Sequence, residues 1–245
     1  MLSKSLNKYI RSLGQQKFRL QYKSFVVEGD TIAQEWLASD QEIEYVIAQA
    51  EWLQENEILV SKHKEAEKIE VKEHELQAVS GLKTANKVLL VVKMPALKQY
   101  KLANKWYLAL DDISDPGNMG TIIRIADWFG IDQIFCSTNC VDIYNAKVVQ
   151  AAMGSHLRVS IHYCNLTEVL SATGLPIYAT TLQGDNIYTL NTNNKGIIII
   201  GNESKGISDA LLALATRQIL IPRKGGAESL NAAISAGIVC ALLIQ

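Results

Sequence analysis

GIIIIGNESKGIS (196–208) and QILIPRKGGAESLNAAISAGIVCALLIQ (218–245) close the chain and decide how it folds. Each opens on a short, continuous apolar run, Ile197 to Ile200 and then Ile219 to Ile221, that breaks abruptly into Gly, Pro and polar residues. Strands covered on both faces need such unbroken runs, and parallel sheets are built from them. Both runs therefore deliver polar loops to the carboxyl edge of a sheet, where ligands bind in open α/β folds. The first loop offers Asn202, Glu203 and Ser204 between Gly201 and Gly206; the second offers Arg223, Glu228, Ser229 and Asn231 around Gly225 and Gly226. Ser229 is placed to cap the final helix by accepting a backbone N–H one turn on. For either loop alone, a strand running into a capped helix explains the residues equally well.

A third stretch, LALDDISDPGNMGTIIRIADWFG (108–130), repeats the pattern. Its apolar run ends in Asp115-Pro116-Gly117-Asn118, and an amphipathic helix is expected from about Met119 to Phe129 with Asn118 at the cap position. Arg124 lies inside this otherwise apolar helix, where a lone Arg would run its stem along the surface and keep its charge in water. In their order and spacing, DPGNMGTIIRIA, IIGNESKGIS and IPRKGGAESLN resemble the three signature motifs of the SpoU (TrmH-like) RNA ribose 2′-O-methyltransferases of the SPOUT superfamily. The resemblance covers roughly the second half of the chain.

That family implies a trefoil-knotted α/β methyltransferase domain with a parallel sheet, although knots are nearly absent from proteins and periodicity alone does not suggest one. It also implies S-adenosylmethionine held chiefly by backbone groups at Thr180, Gly201, Ile221 and Leu230, with a ribose of structured RNA as acceptor. Ribosomal RNA is favoured over transfer RNA. Gly201 and Gly226 would let backbone approach the ligand closely. The catalytic positions carried over are Arg124, Asn118, Glu203, Ser229 and Asn231. An arginine keeps its proton to a pKa above about 12, so a phosphate-gripping fork suits Arg124 better than a general base, and that phosphate or a water would take the proton. Asn118 would position the loop or the ribose, and Glu203 would orient neighbouring donors. His156, in GSHLR, is a competing base by its ordinary pKa, but a histidine near a helix end is more often structural.

Composition agrees with these expectations without selecting among them. A chain of 245 residues, 48% hydrophobic with a net charge of −1, is an ordinary globular protein of one large or two smaller domains. No apolar stretch is long enough to span a bilayer, and the N-terminus MLSKSLNKYIRSLGQQ is polar, so a cytoplasmic protein with no membrane partner is expected. Cys136 and Cys140 lack a second Cys or His pair at zinc spacing; with Cys164 and Cys240 they read as reduced structural thiols, and no metal is expected. Neither G-x-G-x-x-G nor a P-loop occurs, which disfavours another nucleotide-dependent enzyme. A non-catalytic RNA-binding protein on the same fold would be expected to lose Asn118, Arg124 or the Ser229-Leu230-Asn231 triplet, and all are present.

Near-zero net charge hides a strong asymmetry. The first twenty-three residues hold Lys4, Lys8, Arg11, Lys17, Arg19 and Lys23 and no acid, whereas Ser24 to Ser61 hold nine Asp or Glu and no Lys or Arg. Leu2, Leu6, Tyr9, Ile10 and Leu13 fall at helical spacing, which puts the cations on an outer face. Such a face is either merely solvated or an RNA footprint, and Lys4, Lys8, Arg11, Lys17 and Arg19 are the candidate phosphate contacts.

From Ser24 onward, SFVVEG, IEYVIA and KVLLVVK read as strands and DTIAQEWLASD, AEWLQEN and KEHELQAVSGL as helices. The resulting αβαβαβ unit resembles the small ribosomal-protein-like RNA-binding domain that many SpoU enzymes carry, although Thr84-Ala85-Asn86-Lys87 stands where the family often has a Thr-Pro turn. Domains are therefore expected at 1–95 and 104–245, joined by MPALKQYKLANK. Because the final helix is apolar almost all round, it needs cover on more than one face. A homodimer through the knotted domains is expected, as in the family, with the Arg124 helix of a symmetry mate as one candidate cover. The alternative is that both faces are covered within the subunit.

Overall fold

The computed structural model describes residues 2–96, 99–190 and 194–244, which divide into two compact units. Unit 1 gathers Met1–Ala96 with Asp142–Leu157, and unit 2 gathers Leu97–Val141 with Arg158–Gln245.

Unit 1 runs through α1 (Lys4–Ser12), α2 (Gln16–Tyr22), β1 (Ser24–Glu28), α3 (Asp30–Ala38), β2 (Ile43–Ala48), α4 (Ala50–Glu55), α5 (Glu57–Lys62), β3 (Glu67–Glu70), α6 (Glu73–Val79) and β4 (Val88–Lys93). Its sheet has the order β1-β4-β2-β3, with β4 antiparallel to both neighbours and β2 parallel to β3. Alternation along β4 sorts the two cores, since successive side chains point to opposite faces. Val88, Leu90 and Val92 pack with Phe25, Trp36 and Trp52, while Leu89 and Val91 pack with Ile10, Leu13 and Leu76 on the other face. β3 was not expected from the sequence. EKIE is short, charged and at a sheet edge, so its pairing with β2, rather than its own residues, makes it a strand.

The segment Asp142–Leu157 carries α8 (Ala146–Ala152), which packs on β1 and places Val149 in the first core. Gly154, at φ +82°, closes this excursion, and a Cβ there would meet the Glu35 carboxyl group at 2.1 Å.

Unit 2 contains β5 (Tyr107–Asp111), α7 (Pro116–Trp128), β6 (Gln133–Cys136), β7 (Ser160–Tyr163), α9 (Leu166–Ser171), β8 (Ile177–Asn186), β9 (Ile197–Gly201), α10 (Asp209–Leu212), β10 (Arg217–Leu220) and α11 (Ala232–Leu243). Its six strands run β10-β8-β9-β5-β6-β7, and every neighbouring pair is parallel. β9 and β5 sit centrally and are covered on both faces, which is what the Ile197 to Ile200 run requires. The four cysteines are free thiols.

Two expected caps lie elsewhere. α7 begins at Pro116 with Asp115 as its cap, accepting from the Asn118 N–H at 2.8 Å, so Asn118 lies inside the first turn. Proline tolerates the first helical position because it has no N–H to satisfy. α11 is capped by Asn231 rather than Ser229, since Asn231 Oδ1 accepts from the N–H groups of Ala233 (3.0 Å) and Ile234 (3.2 Å).

Candidate active site

The carboxyl ends of β5 and β9 are tied together by side chains that accept or donate to backbone. Asp111 Oδ2 accepts from the Ser208 N–H at 2.8 Å, and Asn202 Nδ2 donates to the Asp112 carbonyl at 2.8 Å. Asn202 Oδ1 in turn accepts from the N–H groups of Ser204 and Lys205, folding the Asn202–Gly206 turn, and Lys205 pairs with Asp112 at 3.2 Å. Gly201 is needed for this turn: a Cβ there would lie 2.5 Å from the Gly206 carbonyl carbon. The glycine thus admits the backbone of its own loop, a use of the position that the sequence did not suggest. Around Gly226 nothing lies within 4 Å of such a Cβ, so no close approach among the described residues explains that glycine.

The turn presents Glu203 to α7. Asn118 Nδ2 donates to Glu203 Oε1, and Asn118 Oδ1 accepts from Asn231 Nδ2 at 2.7 Å. Three loops that lie far apart in sequence therefore meet on one half-buried amide. The amides of Asn118 and Asn231 both use their two ends, and Asn231 also fixes the start of α11. A side chain held by two directional bonds has little rotational freedom left, which is how sites are preorganised.

Arg124 and Ser229 stay outside this network. Six residues beyond Asn118, Arg124 sits about 9 Å further along the helix axis and on another face. The buried face of α7 carries Met119, Gly120, Ile122, Ile123 and Ala126, while Thr121, Arg124 and Trp128 point outward. Among the described residues Arg124 has no hydrogen-bond or ion-pair partner, and the residue is exposed. Ser229 is likewise exposed and without a partner among them.

Around the remaining expected positions the backbone is open. Thr180 Oγ1 donates to the Ile199 carbonyl at 2.8 Å, fastening β8 to β9 just before β8 departs from its pairing with β10. Ala179 pairs with Gln218 and Asp185 with Ile219, so Thr180 to Gly184 lie outside the ladder, with Leu182 74% exposed. Beyond β10, Ile221 is half-buried and Leu230 exposed, and no backbone N–H between Arg223 and Leu230 donates to another described residue.

α7 and α11 pack against each other within the chain, with Gly237 facing the Ile125 side chain. One face of α11 therefore finds its cover in the subunit's own Arg124 helix, where the sequence suggested a symmetry mate. Ile234 remains 55% exposed, and Trp128 on α7 84% exposed.

His156 belongs to unit 1, where its Nε2 meets the Ile143 carbonyl at 2.9 Å and its ring stacks on Tyr144. Burial pushes its pKa down to about 4, so it is a neutral structural group. In the same unit Lys4, Lys8, Arg11 and Lys17 are exposed, as expected. Arg19 is not: at 3% exposure, it donates to the Leu13 carbonyl (2.7 Å) and to Asp142 Oδ2 from both Nε (2.9 Å) and Nη2 (2.5 Å). Its fork is used up inside the protein, which removes it from the candidate RNA contacts. Asp111 and Asp112 complete the site's framework and were not singled out from the sequence; Asn202 was read there only as a polar loop residue and Asp115 only as part of the turn, although Asp-Pro is a recognisable helix start.

The model of the SpoU rRNA methylase family matches residues 105–241, and that of an MRM3-like substrate binding domain matches residues 6–90. The chain is 30% identical to the 23S rRNA (guanosine(2553)-2′-O)-methyltransferase RlmP of Bacillus subtilis over 94% of its own length and 92% of that protein's. Among solved structures it is similar to a TrmH-family protein from Porphyromonas gingivalis (TM-score 0.88, 34% identity, 99% of this chain and 98% of that one). It is also similar to an AdoMet-bound rRNA methyltransferase from Sinorhizobium meliloti (TM-score 0.87, 27% identity, 99% and 95%). The motifs that meet at Asn118 all fall within the matched span, and the chain belongs to the SpoU rRNA methylase family.

Proposed function

We propose that the protein transfers a methyl group from S-adenosylmethionine to a ribose 2′-hydroxyl of ribosomal RNA. The observation that carries this reading is the junction of Asn118, Glu203 and Asn231, which joins all three motif loops at the carboxyl edge of a parallel sheet. Ribosomal rather than transfer RNA is favoured because RlmP of B. subtilis and the S. meliloti enzyme both carry it in their names.

The residues present fit the methyl donor. Unpaired backbone N–H groups between Arg223 and Leu230 supply hydrogen-bonding edges for adenine, and Ile221 and Leu230 supply apolar flanks. Thr180, Gly201, Ile221 and Leu230 would hold it, with the trefoil threading of the family as the framework. When bound, S-adenosylmethionine supplies an electrophilic methyl on a sulfonium centre.

The chain's own residues do the rest. Arg124, exposed and unpaired, grips the phosphate beside the target ribose with two parallel donors. Asn118, oriented from both ends, positions the ribose; Glu203 fixes the Asn118 amide, and Ser229 stands free to contact the RNA or the donor. The ribose proton passes to the neighbouring phosphate or to a water, because a guanidinium stays protonated at working pH. Alignment of the reactants is the main catalytic contribution, since attack geometry can remove about 7–11 kcal/mol of barrier.

A homodimer belongs to the same reading, with the exposed apolar side chains Ile234 on α11 and Trp128 on α7 as contacts and Arg124 serving the donor site of the partner subunit. A cytoplasmic location is consistent with the absence, among the described residues, of any helix long and apolar enough to cross a membrane. The test is transfer of labelled methyl from S-adenosylmethionine to ribosomal RNA purified from cells lacking the gene. Incorporation is expected with the wild-type protein; none with any ribosomal RNA would overturn the reading.

A further inference from the structure

The geometry points to a second contact with RNA in unit 1: Tyr22, held in place by Tyr9 and Phe18 yet 40% exposed on a cationic surface, stacks on an unpaired nucleobase of the substrate. This rests on the RNA reading above and gives it a chemistry that charge alone does not.

α2 turns an apolar side chain and a ring to solvent, Leu20 at 53% and Tyr22 at 40% exposure. The Tyr22 ring is not loose. Tyr9 meets it edge-to-face at 5.0 Å and 88°, and Phe18 lies nearly parallel to it at 6.3 Å and 15°. Tyr9 is itself anchored, its hydroxyl donating to Glu44 at 2.9 Å, and Glu44 is neutralised by Lys93 at 2.9 Å. Lys17 Nζ stands 4.8 Å from the centre of the Phe18 ring. A pre-positioned aromatic ring costs little entropy to use, and every base offers it a π-face.

Charge selects the occupant. Lys4, Lys8, Arg11, Lys17 and Lys23 are exposed around these helices with no ion-pair partner among the described residues, and the first carboxylate in the chain is Glu28. An apolar segment or a neutral lipid would use the ring but leave the cations idle, and an acidic segment would use the cations but has no flat face for the ring; a nucleotide uses both, its base on the ring and its phosphates on the lysines. The base must be unpaired, because a duplex hides its base faces within the stack.

The test uses the full chain and an oligouridine carrying one 2-aminopurine, single-stranded or annealed to its complement. Binding of the single strand should quench the fluorophore. Tyr22→Ala should weaken that binding about tenfold and abolish the quench while leaving the salt slope unchanged, and it should leave duplex binding as it was. Tyr22→Phe should restore both affinity and quench. Tyr22→Leu, which keeps packing against Tyr9 but has no ring, should behave like Tyr22→Ala, and this separates stacking from a fold defect. A quench indifferent to Tyr22, or equal losses on single strand and duplex, would overturn the proposal. Methyl transfer measured in parallel separates the two readings: active enzyme without Tyr22-dependent quenching refutes only the stacking, and Tyr22-dependent quenching without transfer refutes only the enzyme.

Discussion

Asn231 donates its side-chain amide to Asn118 at 2.7 Å while its carbonyl oxygen caps α11, so one residue sets both the start of the last helix and the orientation of the motif amide on α7. These two duties separate by substitution. Asn231→Asp keeps an acceptor for the cap but cannot donate to Asn118, so thermal stability should hold while methyl transfer falls at least tenfold. Asn231→Ala should lose both, with about 1 kcal/mol of stability gone with the cap. Parallel melts and activity assays check this; an aspartate variant with normal turnover would remove Asn118 orientation from the mechanism.

Arg124 is exposed and unpaired, so removing it should leave the fold and the donor site untouched. Arg124→Ala should abolish transfer with unchanged melting and unchanged S-adenosylmethionine affinity by calorimetry. Arg124→Lys should fail nearly as badly, because an ammonium cannot reproduce a bidentate grip on phosphate. Near-normal turnover of the lysine variant would show that only charge is needed.

Two neighbouring cations in α2 should behave oppositely. Arg19→Ala removes a buried guanidinium, leaving the Leu13 carbonyl without its donor and Asp142, 13% exposed, without its ion partner, and should cost about 1–3 kcal/mol of stability in denaturant melts. Neutralising Lys17 together with Lys4 and Lys8 should leave stability alone and flatten the salt dependence of RNA binding, because fewer counterions are released. An unchanged slope would make the face merely solvated.

His156 gives unit 1 an acid-labile point. Its folded pKa is lowered from 6.5 to about 4 by burial, so between these values the unfolded chain binds a proton that the folded chain refuses. Stability is therefore fully present above about pH 6.5 and declines as the pH falls toward 4. His156→Gln should flatten that part of the profile in urea melts at stepped pH, and a slope equal to wild type would place the acid sensitivity elsewhere.

How much of this was legible follows from which forces are local. The central strand of unit 2 announced itself because Ile197 to Ile200 is a run buried on both faces; Ile219 to Ile221 signalled β10 as well, but as an edge strand in which only Ile219 is fully buried, and β3 gave no signal because a charged edge strand exists only through its partner. Residues that later meet, Asn118, Glu203 and Asn231, were reached through motif resemblance; their mutual hydrogen bonds are long-range and leave no trace in spacing. Arg19 was misjudged for the same reason. Its partner Asp142 lies 123 residues away, in a segment that sequence order assigns to the second domain and packing assigns to the first. The cap of α11 was a local misreading, since both Ser229 and Asn231 are good caps and the strand-to-helix path decided between them.

The central claim is that the methyl lands on a ribose 2′-oxygen, and alkaline digestion of labelled ribosomal RNA tests it most directly, because cleavage of the backbone requires a free 2′-hydroxyl. After incubation with the wild-type protein and labelled S-adenosylmethionine, the label should appear in alkali-resistant dinucleotides, and Arg124→Ala should yield none. Label released in mononucleotides, as methylation on a base would give, would contradict the account.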